Sequence, residues 1–446
     1  MPRFSTLGLT AAVAALGLAM GAAVMSPATA APTYTVLHTF NGVDGNGPQG
    51  ALLQDLKGNL IGETIFGGTL GFGNIYAVSS DGSVFNSIYS FANSPDGASP
   101  MGGLRNFIGD VQLLGNDVGV AQTGGTNGLG TVFASDLSGH ETTLHNFAGG
   151  AFGDGDTPSG RLLYWLPNNS YYGTTLGGGS GNESGTVYRI SANGSSYNVV
   201  HVFTGPDGAG PLDGLQYGGD GNFYGVTSGG GANGNGTVFR ISPSGAFKVI
   251  YSFSASGAVD GSLPEGVLAS DFKGNLYGIT NQGGLGGVGT IFTIRTSGAG
   301  FKTLYAFTGG TDGGNPQASL TLGITDCEHS LDTAAGQRAF AADLNSSWHG
   351  GGAPSGILYG TASTGGAGGG TVFSYNVSTK AFTVLYAFTG GLDGGTPLGK
   401  LLVSLDGNIY GTTNAGGASN AGVVFKISGG SGHVLRRSFV VPHTYR

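Results

Sequence analysis

The sequence predicts an all-β protein, a seven-bladed β-propeller of four-stranded antiparallel blades with one insertion in blade six. Three observations predict it. A Gly inside an "LYGTT"-like phrase falls at Gly62, Gly119, Gly173, Gly225, Gly278, Gly360 and Gly411, at intervals of 51 to 57 residues except for one of 82. An Asp-Gly-x-x-Pro phrase keeps the same beat, pairing Asp44 with Pro48, Asp96 with Pro100, Asp154 with Pro158, Asp207 with Pro211, Asp260 with Pro264, Asp312 with Pro316 and Asp393 with Pro397. Each unit of about 52 residues holds four short strand-like segments separated by turns, which matches one blade and is longer than the coil of a parallel β-helix.

The last copy shows the elements. Gly399 to Leu405 is an apolar run ending at Asp406-Gly407-Asn408, a turn spelling in which Gly and Asn tolerate positive φ. Ile409 to Thr413 is the second strand and Val423 to Ile427, rich in β-branched and aromatic residues, the third. The fourth is spelled "VLYAF" at Val384 to Phe388, and it is placed outermost because the longest connection, through Asp-Gly-x-x-Pro, must cross from one blade to the next. Outer-strand candidates end at Phe40, Phe91, Phe147, Phe203, Phe253, Phe307, Phe388 and Phe439, one more than the blades need. Val36 to Phe40 is expected to close the ring on the last blade, because closure removes an open sheet edge and because Arg436 and Arg437 fit the pattern badly.

Residues 1–30 are expected to be a signal peptide: Arg3, an apolar stretch from Leu7 to Val24, and a small-residue cleavage site at Ala28-Thr29-Ala30. The propeller is expected over 34–430, with the insertion at about 319–355 and a tail over 431–446. No second apolar stretch is long enough to cross a bilayer, so the mature chain is expected to be secreted or held at the cell surface, without a transmembrane segment and as a monomer. The single cysteine, Cys327, cannot form an internal disulfide. Only 9% of residues are charged and the formal net charge is -8, which excludes nucleic acid as a partner for want of a basic patch.

The units "GTVFRISPSGAFKVIYSF" (Gly236 to Phe253) and "DGGTPLGKLLVSLDGNIYGTTNAGG" (Asp393 to Gly417) resemble the GloVer tandem repeat of exported bacterial choice-of-anchor proteins. The resemblance covers about residues 34 to 428 and implies secretion and a propeller, without an established activity. Members end in surface-anchoring tails; the ending here, "GSGHVLRRSFVVPHTYR", shows no apolar helix or sorting signal.

Asp44, Asp96, Asp154, Asp207, Asp260, Asp312 and Asp393 are candidates for a ligand-binding ring on one face, where hard oxygen donors would suit Ca²⁺ or a polyol. The competing expectation is a turn in which Asp bonds backbone two residues on, Gly takes positive φ and Pro starts the next strand. "GDGDT" brings two carboxylates close, so Asp154 and Asp156 are the metal candidates, with Ca²⁺ the cation considered; no other cofactor is expected. His38, His145 and His201 sit at the third place of the outer strand, where other copies carry Tyr89, Tyr251, Tyr305 and Tyr386, and are expected to pack rather than share a metal. The Gly of "LYGTT" is expected to permit close approach of a neighbouring blade. Gly283-Gly284 and Gly365-Gly366 are turns without the Lys spacing of a phosphate loop, and neither a nucleophile elbow nor a zinc-binding H-E-x-x-H is present. The insertion, with Cys327, His329, Trp348 and His349, departs most from the repeat, and Asp154, Asp156 and Trp165 are deviations within the blades. The reading that results is an exported, noncatalytic scaffold binding an extracellular polymer or protein. The alternative is an extracellular carbohydrate-active hydrolase or lyase using the channel.

Overall fold

The computed structural model describes residues 31–429 except 56, 106–110, 113–116, 180–182, 255–258, 325–353 and 405. These residues form seven antiparallel blades arranged as a seven-bladed propeller. Blade three shows the plan: Gly155–Trp165 innermost, then Ser170–Gly178, Thr186–Ser191 and the outer Tyr197–Val202. Blade one adds a short parallel pairing of Leu53–Asp55 with Val111–Gln112. Blade seven consists of Leu402–Val403, Ile409–Thr413 and Val423–Ser428, and its outer strand is Thr33–Thr39 from the other end of the chain. The N-terminal strand therefore closes the ring, as expected, with Tyr34 stacked on Tyr386 of blade six at 3.8 Å.

The core lies between blades. Each third strand buries both faces, as Thr237–Ile241 does: Val238 joins the cluster shared with blade five, while Phe239 joins the cluster shared with blade three. Seven such clusters follow one another round the ring, including one that joins Leu37 and Tyr410 of blade seven to Leu52 and Tyr76 of blade one. Phe40, Phe91, Phe147, Phe203, Phe253, Phe307 and Phe388, ending the outer strands, are completely buried. Each such side chain contributes roughly 2–3 kcal/mol.

The glycine of "LYGTT" meets its own sheet. A Cβ on Gly225 would lie 2.4 Å from the ring tip of Phe239 on the paired third strand and 3.1 Å from Leu215 of the same blade. Gly411 stands likewise against Phe425 and Leu401. At these positions the close approach thus comes from within the blade rather than from its neighbour, because the ring tip of the third-strand aromatic reaches the second strand.

Thr321–Ile324, which lies within the bounds expected for the insertion, pairs antiparallel with Pro354–Ala362 in blade six. Cys327, His329, Trp348 and His349 lie outside the described residues, as do the expected signal peptide and the tail with its strand candidate at 434–439.

Candidate functional site

The outer strand of every blade carries a bulge at the same place. In blade four, Val238 faces Tyr251 and Phe239 faces Val249, so Ile250 is the extra residue. The equivalents are Leu37, Ile88, Leu144, Val200, Leu304 and Leu385. A bulge re-aims the residue that follows it. Here that residue is the third-place His or Tyr, and it meets the repeat Asp of the next crossing.

All seven pairs form. His38, His145 and His201 place Nε2 at 3.0, 3.1 and 3.0 Å from Asp44, Asp154 and Asp207. Tyr89, Tyr251, Tyr305 and Tyr386 donate their hydroxyls to Asp96, Asp260, Asp312 and Asp393 at 2.6 to 3.0 Å. Each Asp also accepts a backbone N–H just after the buried Phe, from Asn41, Ala92, Ala148, Thr204, Ser254, Thr308 and Thr389. The expected turn bond two residues ahead is thus replaced by one directed backward, which curls the crossing over the end of its own outer strand. The Gly after Asp has positive φ in six of the seven, Gly155 being the exception. Burial raises the carboxyl pKa of Asp154, Asp312 and Asp393, but bonds from His145 and the Ala148 N–H to Asp154, and from the hydroxyls and N–H groups of Thr308 and Thr389 to Asp312 and Asp393, outweigh it and hold all three below the usual range.

These rings also join the blades. His38 stacks on Phe85, His145 on Tyr197, His201 on Phe247, Tyr251 on Phe301, Tyr305 on Phe382 and Tyr386 on Tyr34, with centroids 3.7 to 4.1 Å apart. At the seventh seam, beyond Tyr89, the corresponding position in blade two is Glu141. Burial, with the Asp96 charge adding, pushes its carboxyl up to about 7 against a bond from Thr143.

Asp154 and Asp156 are placed differently. Asp154 spends Oδ2 on His145 and Ala148 and Oδ1 on Gly155 N–H, while Asp156 lies in the inner strand opposite Gly177. Trp165 packs against Tyr217 and Phe223 of the next blade. Among the described residues, no group of three His, Cys, Asp or Glu is placed to hold a metal.

The central channel holds the charged residues that repeat-level reading passed over. Its cavity, about 240 Å³, is lined from all seven blades, by Gln49, Arg105, Arg161, Asp213, Glu265 and Lys400 among others. Asp213 stands where Gly50, Gly102, Gly160, Gly266 and Gly399 stand in the phrase Pro-x-Gly-x-Leu. Its Oδ1 accepts N–H bonds from Arg161 and Gly214, and its Oδ2 accepts from Val267 N–H and the Ser319 hydroxyl. One carboxylate therefore joins blades three, four, five and six.

Arg161 sends Nη2 to the Leu104 carbonyl at 3.4 Å. Behind the wall, Glu63 replaces the Thr or aliphatic residue that follows the repeat Gly in the other copies. It is 1% exposed and accepts Gly103 N–H at 2.9 Å, while its Oε1 has no hydrogen-bond partner among the described residues. Burial pushes Glu63 up to about 8, against that bond and the Arg161 charge. Glu265 is pushed up to about 7 by burial and the Asp213 charge, against a bond from Asn281. The signal for Glu63, Asp213 and Glu265 is a single copy carrying charge in an otherwise uncharged repeat column, while Arg161 shares its column with Lys400.

Among solved structures, the extracellular domain of a B. thetaiotaomicron protein described as a hybrid two component system aligns at TM-score 0.50 and 10% identity, over 90% of this chain and 43% of that chain. An oligogalacturonate lyase in complex with manganese aligns at TM-score 0.46 and 8% identity, over 89% and 96%. A nidogen/laminin complex structure aligns at TM-score 0.39 and 14% identity, over 67% and 86%. No curated protein matches the chain. The Gloeobacter/Verrucomicrobia repeat model matches residues 15–164 and 110–329, and the chain belongs to that repeat family.

Proposed function

We propose that the protein is an exported, noncatalytic binding scaffold at the cell exterior whose ligand is an extracellular polymer or protein. The observation that carries this reading is the use made of the repeat polar groups. Seven Asp carboxylates fold their crossings, and Asp213 staples four blades, so these groups serve rigidity. A rigid ring offers fixed surfaces for recognition. Export is supported by the resemblance of residues 1–30 to a cleaved signal peptide, and fractionation of cells expressing the full chain checks it. A screen of the purified chain against glycans, cell-wall fractions and their proteins, with and without Ca²⁺, tests the binding reading. Ca²⁺-dependent binding lost in Asp154→Asn with Asp156→Asn would assign the cation to that pair, and thermal stability indifferent to Ca²⁺ would remove it.

The second reading, a carbohydrate-active hydrolase or lyase working in the channel, is favoured by Glu265. A lining carboxyl raised to about 7 suits acid–base chemistry near neutral pH. Polysaccharide cleavage abolished by Glu265→Gln would establish this reading and overturn the first.

A further inference from the structure

The two faces of the ring differ in chemistry. In an antiparallel blade, the outer-to-inner crossings and the loops joining second to third strands emerge together on one face, and the other turns emerge on the opposite face. Ten large apolar residues are exposed among the described residues, and eight of them lie on the crossing face. Val43, Phe152, Val259 and Leu392 stand on crossings, Phe66, Leu70 and Phe72 on the blade-one loop, and Leu285 on the blade-five loop. Only Val84 and Leu166 lie opposite.

Apart from Asp213 and Lys400, which line the channel, the same crossings and loops contain no Lys or Arg among the described residues, and beyond the repeat Asp residues their one charge is Glu183. The opposite turns carry Lys57, Lys273 and Lys380 with Asp81, Asp136 and Asp220. Apolar tips gather most closely at blade one, where the two loops abut: a Cβ on Gly67 would lie 2.4 Å from the Gly42 carbonyl. Phe66 and Leu70 are 53% and 54% exposed there, and Val43 72%.

We infer that the crossing face docks onto an uncharged lipid surface, with the blade-one loops inserting first. The side chains choose this occupant. Five of the eight tips are aliphatic, and aliphatic groups enter a hydrocarbon boundary readily but offer no ring to stack on a sugar. The exposed tips include no Tyr, Trp or Arg, the residues that dominate the energetic hot spots of protein–protein recognition. They are divided among blades one, three, five and seven between glycine-rich loops, which suits a fluid plane better than a fitted pocket. Outside the channel wall the face carries no Lys or Arg to attract anionic headgroups, so binding to zwitterionic lipid is insensitive to salt.

The test is flotation of the purified full chain, and in parallel of the chain beginning at Ala31, with phosphatidylcholine vesicles. Both chains should float, equally at low and high salt and no better when phosphatidylglycerol is added. Phe66→Ser with Leu70→Ser and Phe72→Ser should weaken partitioning at least about tenfold. Leu285→Ser with Leu392→Ser should weaken it less, while Val84→Ser with Leu166→Ser, on the opposite face, should leave it unchanged. Circular dichroism checks that each variant is folded. Failure of the wild type to float, equal loss in the opposite-face variant, or binding that needs anionic lipid would each overturn the inference. So would a chain that fails to float but forms a dimer, by sedimentation velocity, that the triple variant abolishes. Purified protein is used throughout, so the outcome is read independently of whether cells export the chain.

Discussion

The Ser319 hydroxyl donates to Asp213 Oδ2 at 3.1 Å although 106 residues separate the two in the chain. The same oxygen accepts Val267 N–H, which also donates to Ser319 Oγ at 2.8 Å, so three blades share one small network at the channel wall. Asp213→Asn keeps one acceptor oxygen and turns the other into a donor facing donors. The expected loss is roughly 2 kcal/mol, since buried N–H groups are left unmatched. Urea unfolding at neutral pH measures it, and an unchanged midpoint would show that the carboxylate is not a staple.

His38 and His201 are held below their usual value near 6.5 by burial, against the raising influence of Asp44 and Asp207. The unfolded chain therefore binds more protons than the folded one as pH drops through this range. Stability is full above the unfolded value and declines as pH falls from about 6.5 toward the folded value. His201→Tyr, the residue that four other blades use at this place, should keep the bond to Asp207 and reduce this decline. At pH 8 the variant should lie within about 1 kcal/mol of the wild type. Denaturation midpoints at pH 8 and 5.5 supply the comparison.

Glu63 works in the opposite direction. Its folded value of about 8 exceeds the unfolded 4.5, so stability from its protonated form is complete below the unfolded value and is lost as pH rises toward 8. Glu63→Gln retains an acceptor for Gly103 N–H and cannot ionise. The variant should match the wild type near pH 4.5 and exceed it increasingly up to pH 8, by an amount on the order of a few kcal/mol. A constant difference across that range would place the titration elsewhere.

Six seams carry a stacked ring pair and the seventh carries Tyr89 with Glu141 in the partner position. Glu141→Tyr should complete the series and stabilise the protein by about 1 kcal/mol at neutral pH, where the aromatic contact replaces a desolvated carboxyl. Thermal unfolding reads the gain. A lower transition temperature would mean that the Glu141 site cannot admit a ring.

The blades were legible because a period near 52 residues has one economical solution, and the terminal strand because one outer slot had two claimants. His38 and Asp44 were each noticed, but their bond was not, since it depends on a bulge at Leu37 that residue types do not announce. The seven-fold recurrence of both partners, six to nine residues apart, was the available signal. Asp213 and Glu63 are illegible for another reason: a repeat announces what its columns share, and each of these residues is the one charge in its column, while Arg161 shares its column with Lys400. Asp154 and Asp156 are two residues apart in the sequence, yet the strand that begins at Gly155 leaves only Asp154 in the crossing.

The pairing of Thr33 with Ser428 joins segments almost a whole chain length apart. Whatever order the middle blades take as they collapse, the earliest-synthesised strand has no final berth until the last sheet exists. Up to that moment the last sheet has a bare outer margin open to any extended peptide, a second copy included. The strand that completes the seventh blade therefore leaves the nearly finished ring with one unfilled, adhesive slot until it arrives.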